Sequence, residues 1–204
     1  MQVNELIERY KQGESDFSGQ DLRNANLSGL DLKGINLSKS DLTDANLSNT
    51  DLTGADLSNA LLVRCWMEGA ILKNTNLMGA NLTAANIRKV IIENTDFRNT
   101  NLMYAHLCGN SLLRAKLEGA HMDWSCLVDS ELSDQQKGIV PSHALTGSGS
   151  QHESYKGTSS QIGPGYAMLP SESIGAGYKG SGGVVGEGYK GSSPLDNKKK
   201  KDWC

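Results

Sequence analysis

The sequence has 204 residues and a net charge of −3, and its contents of hydrophobic residues (37%) and aromatic residues (5%) are low for a globular core. The near balance of charges excludes a nucleic-acid binder held by counterion release, and the composition requires a narrow core or a regular array of small aliphatic side chains. No apolar run is long enough to span a membrane, and the start lacks the apolar stretch of a signal peptide, so a cytoplasmic protein is expected.

The first predicted element is a short helix over residues 1–14. Leu6, Ile7 and Tyr10 recur at a spacing of three to four residues and share one helical face, and Gly13 is a stop signal. We expect this face to cover the first part of the element that follows.

Residues 15–134 form one unbroken five-residue repeat. Every fifth residue from Phe17 to Leu132 is large and apolar, which gives 24 repeats without an insertion. The residue two places earlier is mostly Ala, Ser or Thr, and the residue between the two is mostly Asp or Asn, as in Ala25-Asn26-Leu27.

A period of five fits neither the α-helix nor a flat β-strand, but it fits a strand that bends at every fifth residue. The small residue and the large apolar residue lie two apart, so both point inward. Four equal corners then close a coil of 20 residues, and stacked coils place like residues in continuous columns. The repeat therefore predicts an all-β solenoid of six coils.

The pattern Ala-[Asp/Asn]-Leu-x-x, as in Ala45-Asn46-Leu47-Ser48-Asn49, resembles that of pentapeptide-repeat proteins over residues 15–134. The opening LIERYKQGESDFSGQDLRNANLSG is similar to the start of bacterial members, many of them cyanobacterial. The resemblance implies a right-handed quadrilateral β-helix, and the handedness comes from the resemblance alone.

Residues 135–204 are a Gly/Ser-rich, low-complexity segment that is expected to be mostly disordered, because it offers little apolar surface to offset ordering entropy. Its sequence repeats Tyr-Lys-Gly at 155–157, 178–180 and 189–191. It ends near a run of four lysines at 198–201, which makes a structural tether acting through this tail one alternative function.

Two inward positions carry unusual residues. Cys65 stands where Ala, Ser or Thr is usual and is predicted to be buried and unreactive. Asn110 is the single Asn at such a position, so its amide is expected to bond to backbone groups at a corner. Since Ala is the usual residue there, Asn110→Ala is expected to be tolerated or stabilising.

No catalytic residue, cofactor site or metal site is predicted. His106 and Cys126 are expected to be neighbours, with His121 on the preceding face, but a metal site needs three or four suitably placed ligands. No nucleophile–base pair, phosphate-binding loop or pair of acids is found. The cysteines form no C-x-x-C pair and no disulfide framework, which suits a reducing compartment. They are Cys65, Cys108, Cys126 and Cys204.

An apolar break in the outward polar positions predicts a binding surface for an unknown protein partner. Asp or Asn is usual immediately before the large apolar residue, yet three successive repeats carry apolar residues there. The candidate partner-binding patch is Leu61, Val63, Trp66, Ile71 and Ile91. A non-catalytic protein-interaction scaffold is therefore the preferred function, and drift in a tolerant solenoid is the alternative explanation of the patch.

Exposed carboxylates in the first half of the repeat support a second function. Some pentapeptide-repeat proteins mimic duplex DNA and bind DNA gyrase, so the resemblance implies a DNA-mimic modulator of gyrase or topoisomerase as an alternative. No direct binding of nucleic acid is expected. The candidate acidic surface is Asp16, Asp21, Asp31, Asp41, Asp51 and Asp56, although Asp is also simply the repeat consensus.

The C-terminal end of the solenoid needs cover for its unpaired backbone groups. No helix comparable to the first is predicted there, so either Ile139, Val140 and Leu145 fold back over the last coil or two molecules meet end to end. A homodimer is the preferred alternative. Its candidate contact residues are Tyr104, Trp124 and Val128.

Overall fold

The computed structural model describes residues 1–142 and 144, which lie in one compact unit. Helix α1 spans Val3–Lys11 and helix α2 spans Asp134–Lys137. Between the helices the chain forms isolated parallel β-bridges instead of long strands. Within the described residues, no helix is both long and apolar enough to cross a bilayer. The predicted tail beyond Ala144 falls outside this part of the chain.

The bridges show the repeat of the solenoid directly. Each bridge joins residues 20 apart, and with one exception a new one begins every five residues from Asp16 to Ser111. The Leu22 N–H donates to Asp41 O at 2.8 Å, and the Asp41 N–H donates to Gln20 O at 2.9 Å. The bridges fall into four columns, which we name by their first members, Asp16, Asp21, Asn26 and Asp31. The chain is therefore a β-helix whose coil takes 20 residues.

The interior follows from the repeat. Large apolar residues such as Leu47 and Leu77 are fully buried, and so are the small residues two places before them, such as Ala45. A turn bond closes most corners, as where the Ala25 N–H donates to Leu22 O at 3.1 Å. The corner residue Asn24 has φ +58°, a conformation that favours Asn and Gly. The corner requirement thus explains the Asn and Gly that end many repeats.

Inward hydroxyl groups donate to backbone carbonyls of the neighbouring coil or, as at Thr100 and Ser125, of their own coil. Thr50 Oγ1 donates to Leu27 O at 2.8 Å, and Thr75 Oγ1 donates to Leu52 O at 2.7 Å. Among the described residues, no buried side-chain nitrogen or oxygen lacks a hydrogen-bond partner. Thr and Ser therefore replace Ala without leaving an unpaired polar atom in the core.

Helix α1 covers the first coil, as predicted. Leu6 is fully buried in the solenoid core. The Tyr10 hydroxyl donates to Lys33 O at 2.8 Å, and the Met1 amino group donates to Asp21 O at 3.0 Å. Both acceptors are backbone carbonyls that have no preceding coil to pair with. The cap thus supplies hydrogen bonds as well as apolar cover.

A second, smaller cap closes the other end. No helix comparable to α1 was predicted there, and α2 has four residues against nine in α1. Helix α2 begins with a capping box between Ser133 and Gln136. Gln136 Nε2 donates to Leu112 O at 2.6 Å and to Ala115 O at 2.9 Å. Ile139 and Val140 pack against the core, which is the fold-back alternative. The signal missed was the Ser-x-x-Gln pattern at 133–136. Leu145 lies outside the described residues.

Candidate interaction surface

The outward Asp and Asn residues have a structural task at the corners. Asp16 Oδ1 accepts from the Ser18 N–H at 3.1 Å, and Asn46 Oδ1 accepts from the Ser48 N–H at 3.0 Å. The Ser18 hydrogen bond holds the pKa of Asp16 below its ordinary value. These side chains fix the backbone two residues on, so their presence alone does not indicate a binding site.

The six candidate acidic residues lie in three different columns. Asp16 and Asp56 belong to the Asp16 column, Asp21 and Asp41 to the Asp21 column, and Asp31 and Asp51 to the Asp31 column.

Two cations pair with four of these six carboxylates. Arg23 lies 2.6 Å from Asp21 and 3.8 Å from Asp41, and Lys33 lies 2.8 Å from Asp31 and 3.2 Å from Asp51. The structure therefore places these carboxylates in separate, partly neutralised groups.

The candidate apolar patch also spans three columns. Leu61 (43% exposed) lies in the Asp21 column, Trp66 (52%) in the Asn26 column, and Ile91 (47%) in the Asp31 column. Ile71 is half-buried and bridges to Ile91, as the repeat predicts, and Val63 is half-buried. The patch is therefore divided among three columns.

The residues proposed for the C-terminal contact are brought close to that end. Tyr104 and Trp124 are both exposed, and both occupy corner positions with φ +60°. The Tyr104 N–H donates to Asp123 O at 3.0 Å, which places the two aromatic residues in adjacent coils. Val128 packs against Cys108 and Cys126. A homodimer through these residues stays a prediction.

Sequence reasoning missed an interruption in the Asp31 column. A bridge joins every pair of column residues 20 apart in the described solenoid, except Ile91 and Ser111. We call this position the open rung. The next corner residue along the chain is Arg114. Among the corner residues that recur every five positions from Gly19 to Asp129, it is the one without a positive φ. The unbroken period of five concealed this change, because no residue is inserted.

Asn110 and Leu113 are two unusual residues beside the open rung. Asn110 points inward, as predicted: its Oδ1 accepts from the Val90 N–H at 2.8 Å, and its Nδ2 donates to Ile87 O at 2.6 Å and to Leu107 O at 2.7 Å. Leu113 is 52% exposed on the outer surface. The sequence signal for this exposed side chain is its position: Leu113 comes immediately after the repeat's Leu, where polar residues are usual.

The side chains of Cys65, Cys108 and Cys126 are buried, and His106 is half-buried. Cys65 is buried, as predicted, and burial raises the pKa of its thiol. Cys108 is a free buried thiol whose pKa is also raised by burial. Cys126 is disulfide-bonded, whereas no disulfide framework was expected from the sequence. Burial, and to a lesser extent Arg88, lowers the pKa of His106.

His106 does bridge to Cys126, as the repeat predicts. In the described part of the chain, however, no group of three or more His, Cys, Asp or Glu side chains is placed to hold a metal ion.

The repeat matches a known family. Residues 13–38, 21–59, 40–77 and 62–99 match the family described as pentapeptide repeats, with 8 copies. No curated protein sequence matches the chain.

Solved structures of pentapeptide-repeat proteins are similar to this chain. One is HetL, a pentapeptide-repeat protein involved in heterocyst differentiation regulation from the cyanobacterium Nostoc sp. strain PCC 7120, with 28% identity and a TM-score of 0.35. The match covers 72% of this chain and 57% of HetL, so the chain spans little more than half of that protein.

Two further structures share the repeat. Rfr23 from the cyanobacterium Cyanothece 51142 is 22% identical with a TM-score of 0.39, over 71% of this chain and 99% of Rfr23. QnrB1, a plasmid-mediated fluoroquinolone resistance protein, is 23% identical with a TM-score of 0.31, over 65% of this chain and 80% of QnrB1. At TM-scores this low, none of the three assigns a function to this chain.

Proposed function

Because this chain belongs to the pentapeptide-repeat proteins, whose fold is a right-handed β-helix, we propose that it is a non-catalytic protein-interaction scaffold. The partner is a protein that binds the outer faces of the solenoid. The observation that carries the proposal is the replacement of the usual Asp or Asn by exposed Leu61, Trp66 and Ile91.

Apolar side chains at these positions do not stabilise the local backbone as Asp or Asn does. An Asp or Asn there accepts a hydrogen bond from the backbone two residues on, as Asp51 Oδ1 does from the Thr53 N–H at 3.0 Å. Leu61, Trp66 and Ile91 cannot accept that bond, and each leaves a large apolar surface in water. A bound partner that removes this surface from water would offset the loss.

The proposal includes a geometry for the surface. We take the four bridge columns as four faces and the 24 repeats as six coils, so that residues 20 apart lie about 4.8 Å from each other along a face. On this geometry Leu61 and Trp66 lie on neighbouring faces, and Ile71 and Ile91 lie together on the next.

The DNA-mimic alternative has less support. A mimic of duplex DNA needs a continuous negative surface, whereas the acidic residues here are divided among columns, and four of the six are paired with Arg23 or Lys33. A gyrase supercoiling assay tests this alternative, and inhibition by the purified chain at submillimolar concentration would revive it. The tether alternative depends on residues 145–204, outside the described part of the chain.

Partner capture tests the scaffold proposal. Wild-type chain and the triple variant Leu61→Asn, Trp66→Asn, Ile91→Asn are used as baits in extract from the source organism, and captured proteins are quantified by mass spectrometry. Asn is the repeat's own residue at these positions, so the fold should be kept, which a circular dichroism melt checks. Asn81→Asp, in the same column as Leu61, is the matched control.

We expect at least one protein to be captured by wild type and Asn81→Asp and lost with the triple variant. Equal capture by all three baits, or no specific capture, would contradict the proposed scaffold surface.

A further inference from the structure

The open rung lacks the backbone hydrogen bonds that join the two coils elsewhere in its column. In the rung before it, the Leu72 N–H donates to Ile91 O at 2.9 Å and the Ile91 N–H donates to Ala70 O at 3.0 Å. The equivalent donors at the open rung are the N–H groups of Ile92 and Ser111. Within the described chain, neither of them donates to a backbone carbonyl.

The corners on both sides of the open rung lack the same kind of bond. One coil earlier, the N–H groups of Gly69 and Asn74 donate to carbonyls of the next coil, with N–O distances of 3.1 Å and 2.8 Å. The equivalent N–H groups of Lys89 and Asn94 donate to no backbone carbonyl of residues 1–142. Four successive hydrogen bonds between these two coils are thus missing, which lowers the free energy needed to part the coils on this face.

The inward side chain of Asn110 changes the adjoining turn as well. The Val90 N–H donates to Asn110 Oδ1 at 2.8 Å, and Asn110 Nδ2 donates to Ile87 O at 2.6 Å. One coil earlier, the corresponding backbone groups bond to each other, as the Ala70 N–H donates to Met67 O at 3.0 Å. An inward Asn is therefore the residue that distinguishes this turn from the regular ones.

The missing bonds weaken one junction of the solenoid. A cut between residues 106 and 107 crosses four rungs, one in each column, and three of them are closed. A cut between residues 66 and 67 crosses four closed rungs. Each coil of a solenoid is stabilised mainly by its neighbours, so the weaker junction is the place where one end can open separately.

The smaller side of this junction is the C-terminal one, residues 107–140, which includes helix α2. Residues 91–106 belong to the larger side, because they keep their hydrogen bonds to the preceding coil: the Asp96 N–H donates to Thr75 O at 3.0 Å, and the His106 N–H donates to Ala85 O at 2.9 Å. A smaller unit buries less apolar surface, so its opening costs less than global unfolding.

We propose that residues 107–140 are a separate cooperative unit, the C-terminal unit, which opens reversibly at the open rung while residues 3–106 stay folded. Opening breaks three closed rungs and the bonds between Gln136 and the core, and it uncovers the apolar side chains of Ile92 and Leu112. Leu61 and Trp66 lie in the part that stays folded. The device therefore goes beyond the proposed scaffold function and does not depend on it.

Two free thiols lie on opposite sides of the junction and can report its opening. Cys108 belongs to the C-terminal unit and is 8% exposed, whereas Cys65 lies in the larger part and is fully buried. Cys108 Sγ donates to Cys126 O at 3.7 Å, a contact that lies within the unit. Burial raises the pKa of both thiols, so each should react with an alkylating reagent when its own coil opens.

Thiol labelling of the full chain tests the proposal. The chain is treated with iodoacetamide without reductant, at urea concentrations below the unfolding midpoint, and labelling of Cys65 and Cys108 is followed by peptide mass spectrometry. Without urea, we expect Cys108 to be labelled at least about tenfold faster than Cys65. Both rates should rise with urea, and the slope for Cys108 should be smaller, because opening of the C-terminal unit exposes less surface.

Two results would overturn the inference. Equal rates with equal urea dependence would show that the solenoid opens as one unit. A Cys108 rate that does not change with urea would show that the reagent reaches this thiol in the folded coil, without any opening.

A double variant tests whether the open rung sets the boundary. Val90→Ala with Asn110→Thr restores inward residues of the regular repeat, in which Thr50 Oγ1 donates to Leu27 O beside an intact turn. We expect the missing bonds to form and Cys108 labelling to slow about tenfold or more, while Cys65 labelling does not become faster. An unchanged ratio of the two rates in a folded variant would overturn the inference.

Thr75→Ala is the matched control in the larger part of the solenoid. It removes the hydrogen bond from Thr75 Oγ1 to Leu52 O and should speed labelling of Cys65. Labelling of Cys108 should stay the same, because the C-terminal unit opens without unfolding of that part. If Thr75→Ala speeds both reactions by the same factor, the two parts are one cooperative unit and the proposal is wrong.

Discussion

Two rungs of the Asp31 column carry an inward polar residue of the repeat but differ in outcome. At the Asp31–Asp51 rung, the Thr50 hydroxyl donates to Leu27 O, and the rung is closed by the Asp51 N–H to Leu30 O at 2.9 Å. At the Ile91–Ser111 rung, Asn110 makes three hydrogen bonds, and the rung is open.

The difference shows that the size of the inward side chain does not by itself decide whether a rung is open. Leu30, inside the closed rung, is larger than Val90, but it lies at the end of the stack beside Ile7 and Tyr10 of α1, where there is room. Val90 lies in mid-stack against the Asn110 amide. The Thr50 hydroxyl adds one hydrogen bond to an existing turn, whereas the Asn110 amide replaces the turn bond between Val90 N–H and Ile87 O.

The largest expected effect is the loss of stability when a buried core side chain is removed, which we compare between a closed rung and the open rung. Leu72→Ala removes a fully buried side chain and should cost about 2–5 kcal/mol of unfolding free energy. Ile92→Ala, one coil further in the same stack, should cost less because Ile92 is slightly exposed, at 8%, and lies at a rung without its backbone hydrogen bonds. Urea unfolding followed by circular dichroism measures both, and a larger loss for Ile92→Ala would contradict a loosened rung.

The second-largest effect on unfolding free energy is expected for Asn110→Ala, at the open rung. The sequence favoured a neutral or stabilising change, but the structure shows three buried backbone groups that would lose their partner. We therefore expect a loss of about 1–3 kcal/mol, larger than that for Thr50→Ala, which removes one bond. The added change Val90→Ala should recover part of the loss, since the turn bond can re-form. An Asn110→Ala chain as stable as wild type would restore the earlier expectation.

His106 adds a pH dependence to the coil that carries the open rung. Burial lowers the pKa of His106 in the folded chain, so the unfolded chain binds the proton more readily. The sign follows: this contribution is present above the ordinary histidine pKa of about 6.5 and is lost as pH falls through the folded value. Unfolding free energy measured from pH 7.5 to 5 should fall less for His106→Asn than for wild type. Equal slopes would show that the site does not titrate differently on folding.

The smallest effect concerns two corners of equal conformation. Gly54 and Gly79 both have φ +70°, so Ala is strained at each by about 1 kcal/mol. A Cβ at Gly54 would meet no atom within 4 Å, whereas one at Gly79 would lie 2.6 Å from Asn59 Oδ1. Because that amide can rotate away, Gly79→Ala should melt only slightly below Gly54→Ala. Scanning calorimetry on both variants checks the order, and the reverse order would rule out the Asn59 contact.

The sequence by itself determined the solenoid, its 20-residue coil and its inward and outward positions. A strict period of five allows only one alternation of inward Ala and Leu, and the stacking of Ile71 on Ile91 follows from counting. The sequence also determined the N-terminal cap, because the apolar face of α1 has nowhere else to be buried. The buried state of Cys65 follows from the same count.

Only the tertiary structure decided where the regular pattern fails. Whether Asn110 bonds to its own coil or to the preceding one depends on the distance between coils, which no residue spacing encodes. The same holds for Arg23 and Lys33, whose long side chains reach carboxylates in two coils, and for Gln136, which replaces a missing coil with its side-chain amide. Periodicity determines which residues face each other, while hydrogen-bond geometry between coils determines whether they pair.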